Sequence, residues 1–249
     1  MQVVVESLLT TYKDSGKGKG VLLLHGWGDT MATFSQLEES LSSYYRVVSV
    51  DLPGFGKTQA PSQVWGLNEY ANFVASFISK IDFNPYVIIA HSNGGAIAIR
   101  GLAAGKLSAE KLVLLASAGI RGQYKGRVKV IRLITKVGKI ATAPLPASVK
   151  NKLRRMVYNT VGSDMLVAEH LQETFKKVIT DDVRTDATKL KIPTLLIYGD
   201  KDEQTPPKLG QLLRDAIPKS KLVIVEGAGH HVHQDEPEQV LGHIEELLR

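Results

Sequence analysis

The 249-residue chain predicts an α/β protein: a mostly parallel eight-stranded sheet with helices on both faces and an inserted helical cap. Three observations carry that expectation. Short, near-continuous apolar runs alternate with amphipathic stretches of helical length, the pattern of parallel strands covered on both sides. The runs end abruptly at glycine, proline or aspartate, as strands do at turns. The alternation halts between about 117 and 188, where the pattern is helical only.

Taken in order, VVV at 3–5 and LLTTY at 8–12 form an opening pair of strands. Val21–His25 is a buried strand ended by Gly26. Residues 33–43 place Phe34, Leu37 and Leu41 on one helical face. Arg46–Asp51 is a strand stopped by Pro53 and Gly54, and Leu67–Lys80 is a helix with Asn68 as its N-cap. Tyr86–His91 runs directly into a helix at 93–104, and Lys111–Ala116 is the next strand. The interruption reads as helices over 125–139, about 148–160 and 164–179, with a Pro144–Pro146 loop between the first two. Then come Pro193–Tyr198, a helix at 207–216, Leu222–Val225 and a final helix at 236–248.

Composition bounds the function. Apolar residues at 43% and charged residues at 22% are ordinary for a folded domain, which excludes a disordered or collagen-like chain. Cysteine is absent, which removes disulfides, thiolate metal sites and cysteine nucleophiles. The N-terminus shows no basic region of a signal peptide, and no apolar run approaches a membrane span, so the expected location is cytoplasmic. Charge is uneven. Eleven basic and no acidic residues lie between Arg121 and Ser163, so the overall +6 conceals a −5 remainder. Such a switch marks an inserted module with its own surface role.

The sharpest chemical signal is Ala90-His91-Ser92-Asn93-Gly94-Gly95, between a strand and a helix. A serine on that turn is pushed out at the carboxyl edge of the sheet, and the tight turn needs small residues two before and two after, here Ala90 and Gly94. Backbone N–H groups and the helix dipole favour developing negative charge there. A serine needs a base and a group that orients the base. Two later strand ends supply them in the required order. Gly199-Asp200-Lys201-Asp202 follows one strand, and Gly227-Ala228-Gly229-His230 follows the next. Three strand ends therefore bring a hydroxyl, a carboxylate and an imidazole to one sheet edge.

With these motifs, the chain resembles the α/β-hydrolase fold family over nearly all its length, in particular serine-nucleophile, esterase-like members with a helical cap. The matching segments are Leu24-His25-Gly26-Trp27, Asp51-Leu52-Pro53-Gly54-Phe55-Gly56, the serine turn at 90–95, the acid loop from Gly199 to Pro206, and Gly227 to His230 followed by Pro237. Ala90 stands where many members have glycine. The resemblance implies a triad of Ser92, Asp202 rather than Asp200, and His230, with the backbone N–H groups of Trp27 and Asn93 as oxyanion hole. It implies a core of 1–116 and 189–249, with 117–188 as a lid over the substrate pocket. The expected activity is hydrolysis of a small-molecule carboxylic ester through an acyl-enzyme, with no cofactor and no metal. The same triad also serves C–C bond, thioester or amide hydrolysis and cofactor-free perhydrolysis, and a non-catalytic ligand-binding protein is a further alternative. Ser92 disfavours epoxide hydrolases and dehalogenases, which carry aspartate there.

Other motifs are weaker. Gly56-Lys57-Thr58 mimics a phosphate loop, but Asp51 stands where its first glycine belongs. His231-Val232-His233-Gln234-Asp235 has metal-ligand spacing but reads more simply as loop and helix entry. His25 and Asp51 read as structural. Lys125, Lys129, Arg132, Lys136 and Lys139 form one helical stripe opposite Val130, Leu133, Ile134 and Val137. That stripe is a solvated face of a cap helix, or else it meets an anionic substrate, an acidic carrier protein or an anionic membrane surface. No recognition motif supports nucleic acid.

Overall fold

The structure, a computed structural model, describes residues 1–120 and 169–249. Its eight strands are β1 (Gln2–Val5), β2 (Leu8–Ser15), β3 (Gly20–Leu24), β4 (Arg46–Val50), β5 (Pro85–His91), β6 (Lys111–Leu115), β7 (Thr194–Gly199) and β8 (Ser220–Val225). They form one sheet in the order β1-β2-β4-β3-β5-β6-β7-β8. β1 and β2 pair antiparallel, as do β2 and β4; every later pair is parallel. The sheet is thus mixed at its first edge and parallel through its centre.

The apolar runs exist because both faces are covered. In β5, Ile88 and Ala90 face one hydrophobic cluster while Val87 and Ile89 face the other. β3, β6 and β7 divide their side chains the same way. The first face is covered by α2 (Leu67–Lys80), α3 (Asn93–Ala103) and α6 (Pro207–Ala216), which contribute Phe73, Phe77, Ile97, Ile99, Leu209 and Leu213. The second is covered by α1 (Ser35–Leu41) and α8 (Pro237–Leu248) through Leu37, Leu41, Val240 and Ile244. Three shorter helices complete the described chain: α4 (Gln172–Val178), α5 (Arg184–Ala187) and α7 (Val232–Asp235). Among the described residues, no helix is long and apolar enough to cross a membrane.

Every expected strand is present, with ends shifted by no more than three residues. The helix expected over 33–43 is a 3₁₀ turn at Met31–Phe34 leading into α1. Asn68 is not the N-cap of α2. That position is Gly66, whose N–H donates to Glu69, while the Leu67 N–H donates to Asp181. The cap comes from a carboxylate far along the chain, and Asn68 instead accepts from Arg100. The helices read at 125–139 and 148–160, the basic stripe and the Pro144–Pro146 loop lie outside the described residues. Of the helix read at 164–179, the described part is a 3₁₀ turn at Glu169–Leu171 followed by α4.

Ile88 is fully buried in β5, the central strand that leads into Ser92. Ile88→Ala should lower unfolding free energy by about 2–5 kcal/mol. Urea denaturation checks this, and a loss below about 1 kcal/mol would show that the two layers collapse onto the gap.

Candidate active site

Ser92 sits between β5 and α3 with φ +49° and ψ −116°, a left-handed backbone rare for a residue with a Cβ. The turn permits this because its neighbours are small. A Cβ on Gly94 would lie 2.3 Å from the Leu24 carbonyl oxygen, and one on Gly26 would lie 3.1 Å from Ser92 Cβ. The His25-Gly26-Trp27 turn therefore packs directly on the serine. Asn93, the first residue of α3, has an N–H with no partner inside the helix by construction. The Trp27 ring packs on Phe55 and on Phe175 of α4, at centroid distances of 4.9 and 5.1 Å.

The three sequence-predicted groups converge. His230 Nε2 is 3.1 Å from Ser92 Oγ, and His230 Nδ1 is 2.9 Å from Asp202 Oδ2. The Asp202 side chain is fully buried and that of His230 nearly so. A carboxylate accepts only, so Nδ1 carries the proton and Nε2 faces the hydroxyl as an acceptor. This is the tautomer in which an imidazole can take a proton from serine. Asp202 Oδ1 accepts from the Gln204 and Thr205 N–H groups at 2.8 and 2.9 Å. Burial tends to raise its pKa; the bonds from His230 and Thr205 outweigh that and hold it below the ordinary value. Asp200, by contrast, is exposed and accepts from the Gly227 N–H at 2.7 Å, pinning the turn that leads to His230.

The other candidates have structural work. His25 Nε2 accepts from the Leu52 N–H at 2.8 Å, which puts the proton on Nδ1, 2.8 Å from the Gly26 carbonyl. Burial lowers its pKa, so it stays a neutral brace between two turns. Asp51 accepts from the Met31 and Lys57 N–H groups. The Gly56-Lys57-Thr58 segment bonds to Thr11 and Asp51, and a Cβ on Gly56 would meet Asp51 Oδ2 at 2.2 Å. His231, His233 and Asp235 do not converge on one point. His233 Nε2 bonds the Thr33 hydroxyl, and Asp235 accepts from the Gly229 N–H.

Sequence reasoning missed Thr205. Its hydroxyl lies 2.7 Å from Asp202 Oδ2, 3.1 Å from His230 Nδ1 and 2.9 Å from the Ala116 carbonyl. It ties the carboxylate loop to the end of β6. The available signal was local: an aspartate followed three residues later by threonine, the spacing of a side chain that caps its own turn.

The lowered pKa of Asp202 has a stability consequence. Its folded value lies below the ordinary 3.8, so the charged form stabilises the native state fully above that pH. The contribution disappears as pH falls through the folded value. Asp202→Asn lacks it throughout, so the stability gap between wild type and variant should be widest near about pH 7 and narrow towards about pH 3. Urea denaturation across that range measures the gap; a gap independent of pH would mean the carboxylate is not preferentially charged in the native state.

A model described as the alpha/beta hydrolase family matches residues 21–242. An uncharacterized protein of Mycobacterium tuberculosis is 23% identical over 265 residues, covering 95% of this chain and 77% of the relative. A pimeloyl-(acyl-carrier protein) methyl ester esterase of Neisseria meningitidis is 29% identical over 228 residues, covering 85% and 71%. The crystal structure of a bacterial membrane phospholipase A superposes with a TM-score of 0.79 at 23% identity, covering 100% of this chain and 84% of that one. The family match runs from the first parallel strand into the last helix, the span that holds the serine turn and both later strand ends, and the chain belongs to the alpha/beta hydrolase family.

Proposed function

We propose that the chain is a serine hydrolase that cleaves a carboxylic ester through an acyl-enzyme. The observation that carries this is the hydrogen-bonded path from Asp202 through His230 to a serine held at a left-handed turn. Ser92 Oγ attacks the ester carbonyl as His230 Nε2 takes its proton. The N–H groups of Trp27 and Asn93 hold the oxyanion. Collapse of the tetrahedral intermediate breaks the C–O bond, and His230 gives its proton to the leaving alcohol. Water, deprotonated by His230, then attacks the acyl-serine, the acid leaves, and Ser92 recovers its proton. Asp202 holds the imidazole in the working tautomer and stabilises the imidazolium. No cofactor enters these steps.

The substrate proposed is a small-molecule ester, with residues 117–188 as the lid over its pocket. One relative is named for an ester carried on acyl-carrier protein. That name and the block of eleven basic residues at 121–163 support an anionic substrate or acidic carrier at the basic segment.

A fluorophosphonate should label Ser92, located by mass spectrometry, and Ser92→Ala should abolish labelling. It should also cut turnover of p-nitrophenyl esters by roughly 10⁴ or more. Asp202→Asn should do comparable harm and Asp200→Asn little. Labelling elsewhere, or an active Ser92→Ala protein, would sink the assignment. A panel of esters, thioesters and amides identifies the bond, and turnover confined to thioesters or amides would overturn the ester reading while leaving the triad intact.

Reversing Lys129, Arg132 and Lys136 to glutamate should reduce turnover of anionic esters most at low ionic strength, because exposed charges are screened within about 8–10 Å at physiological salt. Hydrolysis of a neutral ester should stay unchanged. Loss on both substrates would show that the stripe supports the fold of the segment rather than recognition.

A further inference from the structure

His91 precedes the serine but takes no part in the path above. Its ring is 1% exposed and stacks within about 5 Å of three other imidazoles, those of His230, His231 and His233. Its Nε2 lies 3.0 Å from the His230 carbonyl oxygen. A carbonyl only accepts, so Nε2 carries the hydrogen. Its Nδ1 is buried and, among the described residues, has no hydrogen-bond partner.

Facing that nitrogen, 3.9 Å away, is Asp29 Oδ2. His231 Nε2 closes the group in an ion contact at 3.4 Å from the same carboxylate oxygen, and all three ligand atoms lie within 4.8 Å of one another. A cation bound here takes the place of the proton on His231.

We propose that Asp29, His91 and His231 bind one divalent transition-metal cation of the zinc class, next to the loop that carries His230. Zinc bonds of about 2.0–2.2 Å in a tetrahedron place ligand atoms about 3.3–3.5 Å apart. The Asp29–His231 separation meets that spacing and the Asp29–His91 separation nearly does. His231, with a side chain 42% exposed, can swing to shorten the remaining edge and leaves a route in from solvent. Two imidazoles and a carboxylate select zinc, cobalt or nickel over magnesium and calcium. The outer contacts are those of a metal site: His91 donates its far N–H to a carbonyl, and Asp29 Oδ1 accepts from the Thr30 N–H at 2.9 Å. The sequence alone directed attention to His231, His233 and Asp235, and expected no metal; the fold separates those three and delivers His231 to two residues from distant turns instead.

The site does not depend on the proposed hydrolysis, and its test reads the metal directly. Tag-free, chelator-stripped protein is titrated with Co²⁺ and followed by visible absorption, then with Zn²⁺ by calorimetry and thermal unfolding. One equivalent of Co²⁺ should give the intense bands of a four-coordinate ion, and one equivalent of Zn²⁺ should remove them. Saturating Zn²⁺ should raise Tm by about 5 °C or more. His231→Gln and Asp29→Asn should each weaken binding at least roughly tenfold. Ser92→Ala should bind as wild type does. No absorption and no shift in Tm would overturn the proposal and leave water as the occupant. Cobalt bands that survive in both variants but vanish in Asp202→Asn would overturn it by placing the metal on the Asp202–His230 pair.

Discussion

One backbone conformation organises the rest of this molecule. Ser92 holds φ near +49°, where its Cβ crowds the backbone, at a cost of about 1–3 kcal/mol. Such a residue persists only when its surroundings over-determine it. Here the Ser92 N–H donates to the Leu115 carbonyl of the neighbouring strand, and its own carbonyl accepts from Gly95, Ala96 and Ala118. The next strand end repeats the device, with Ala116 at φ +45°. Two adjacent parallel strands therefore stop in left-handed turns, and the chains leaving them pack into the gap so closely that only glycine fits. A Cβ on Gly95 would sit 2.3 Å from Ser117 Oγ. The strain is affordable because β3, β5 and β6 are buried on both faces and cannot easily shift.

Identical side chains take different roles around this edge because their surroundings differ. Asp51 is consumed by two backbone donors, Asp200 by one at the surface, and Asp202 by two backbone donors, the Thr205 hydroxyl and an imidazole. The histidines sort likewise. His25 is a neutral spacer with both nitrogens used, and His230 links carboxylate to hydroxyl. Burial lowers the pKa of His233 to about 4, which leaves it a neutral partner for Thr33. The ion contact with Asp29 outweighs burial at His231 and raises its pKa. Charge, hydrogen and lone pair are assigned by what each nitrogen faces.

Residues 171–190 are fastened to the core by polar and apolar contacts alike. Thr174 and Asp181 accept from the Trp65 and Leu67 N–H groups at the start of α2. Arg100 of α3 meets Asp186 at 2.6 Å and also reaches Asn68 and the Asp182 carbonyl. On the apolar side, Leu171, Val178, Val183 and Ala187 are buried in the same core cluster as α2 and α3, and Phe175 packs on Trp27, directly beside the serine turn.

By itself, the sequence determined the strands, the helical cover and the three strand ends that deliver Ser92, Asp202 and His230. These rest on local signals: a two-sided apolar run reads as a buried parallel strand, and a turn that admits only small residues announces itself in Ala90, Gly94 and Gly95. The choice between Asp202 and Asp200 came only through family resemblance, because two carboxylates two residues apart carry the same chemistry until an imidazole is placed beside one. Tertiary structure decided the matters that depend on residues far apart in the chain. Asp181 rather than Asn68 serves the start of α2, Thr205 joins the carboxylate to β6, and Asp29 meets His91 and His231. A hydrogen bond or a ligand set has no periodicity along the chain. It exists only where folding brings an acceptor within about 3 Å of its donor, and no spacing in the sequence encodes that distance.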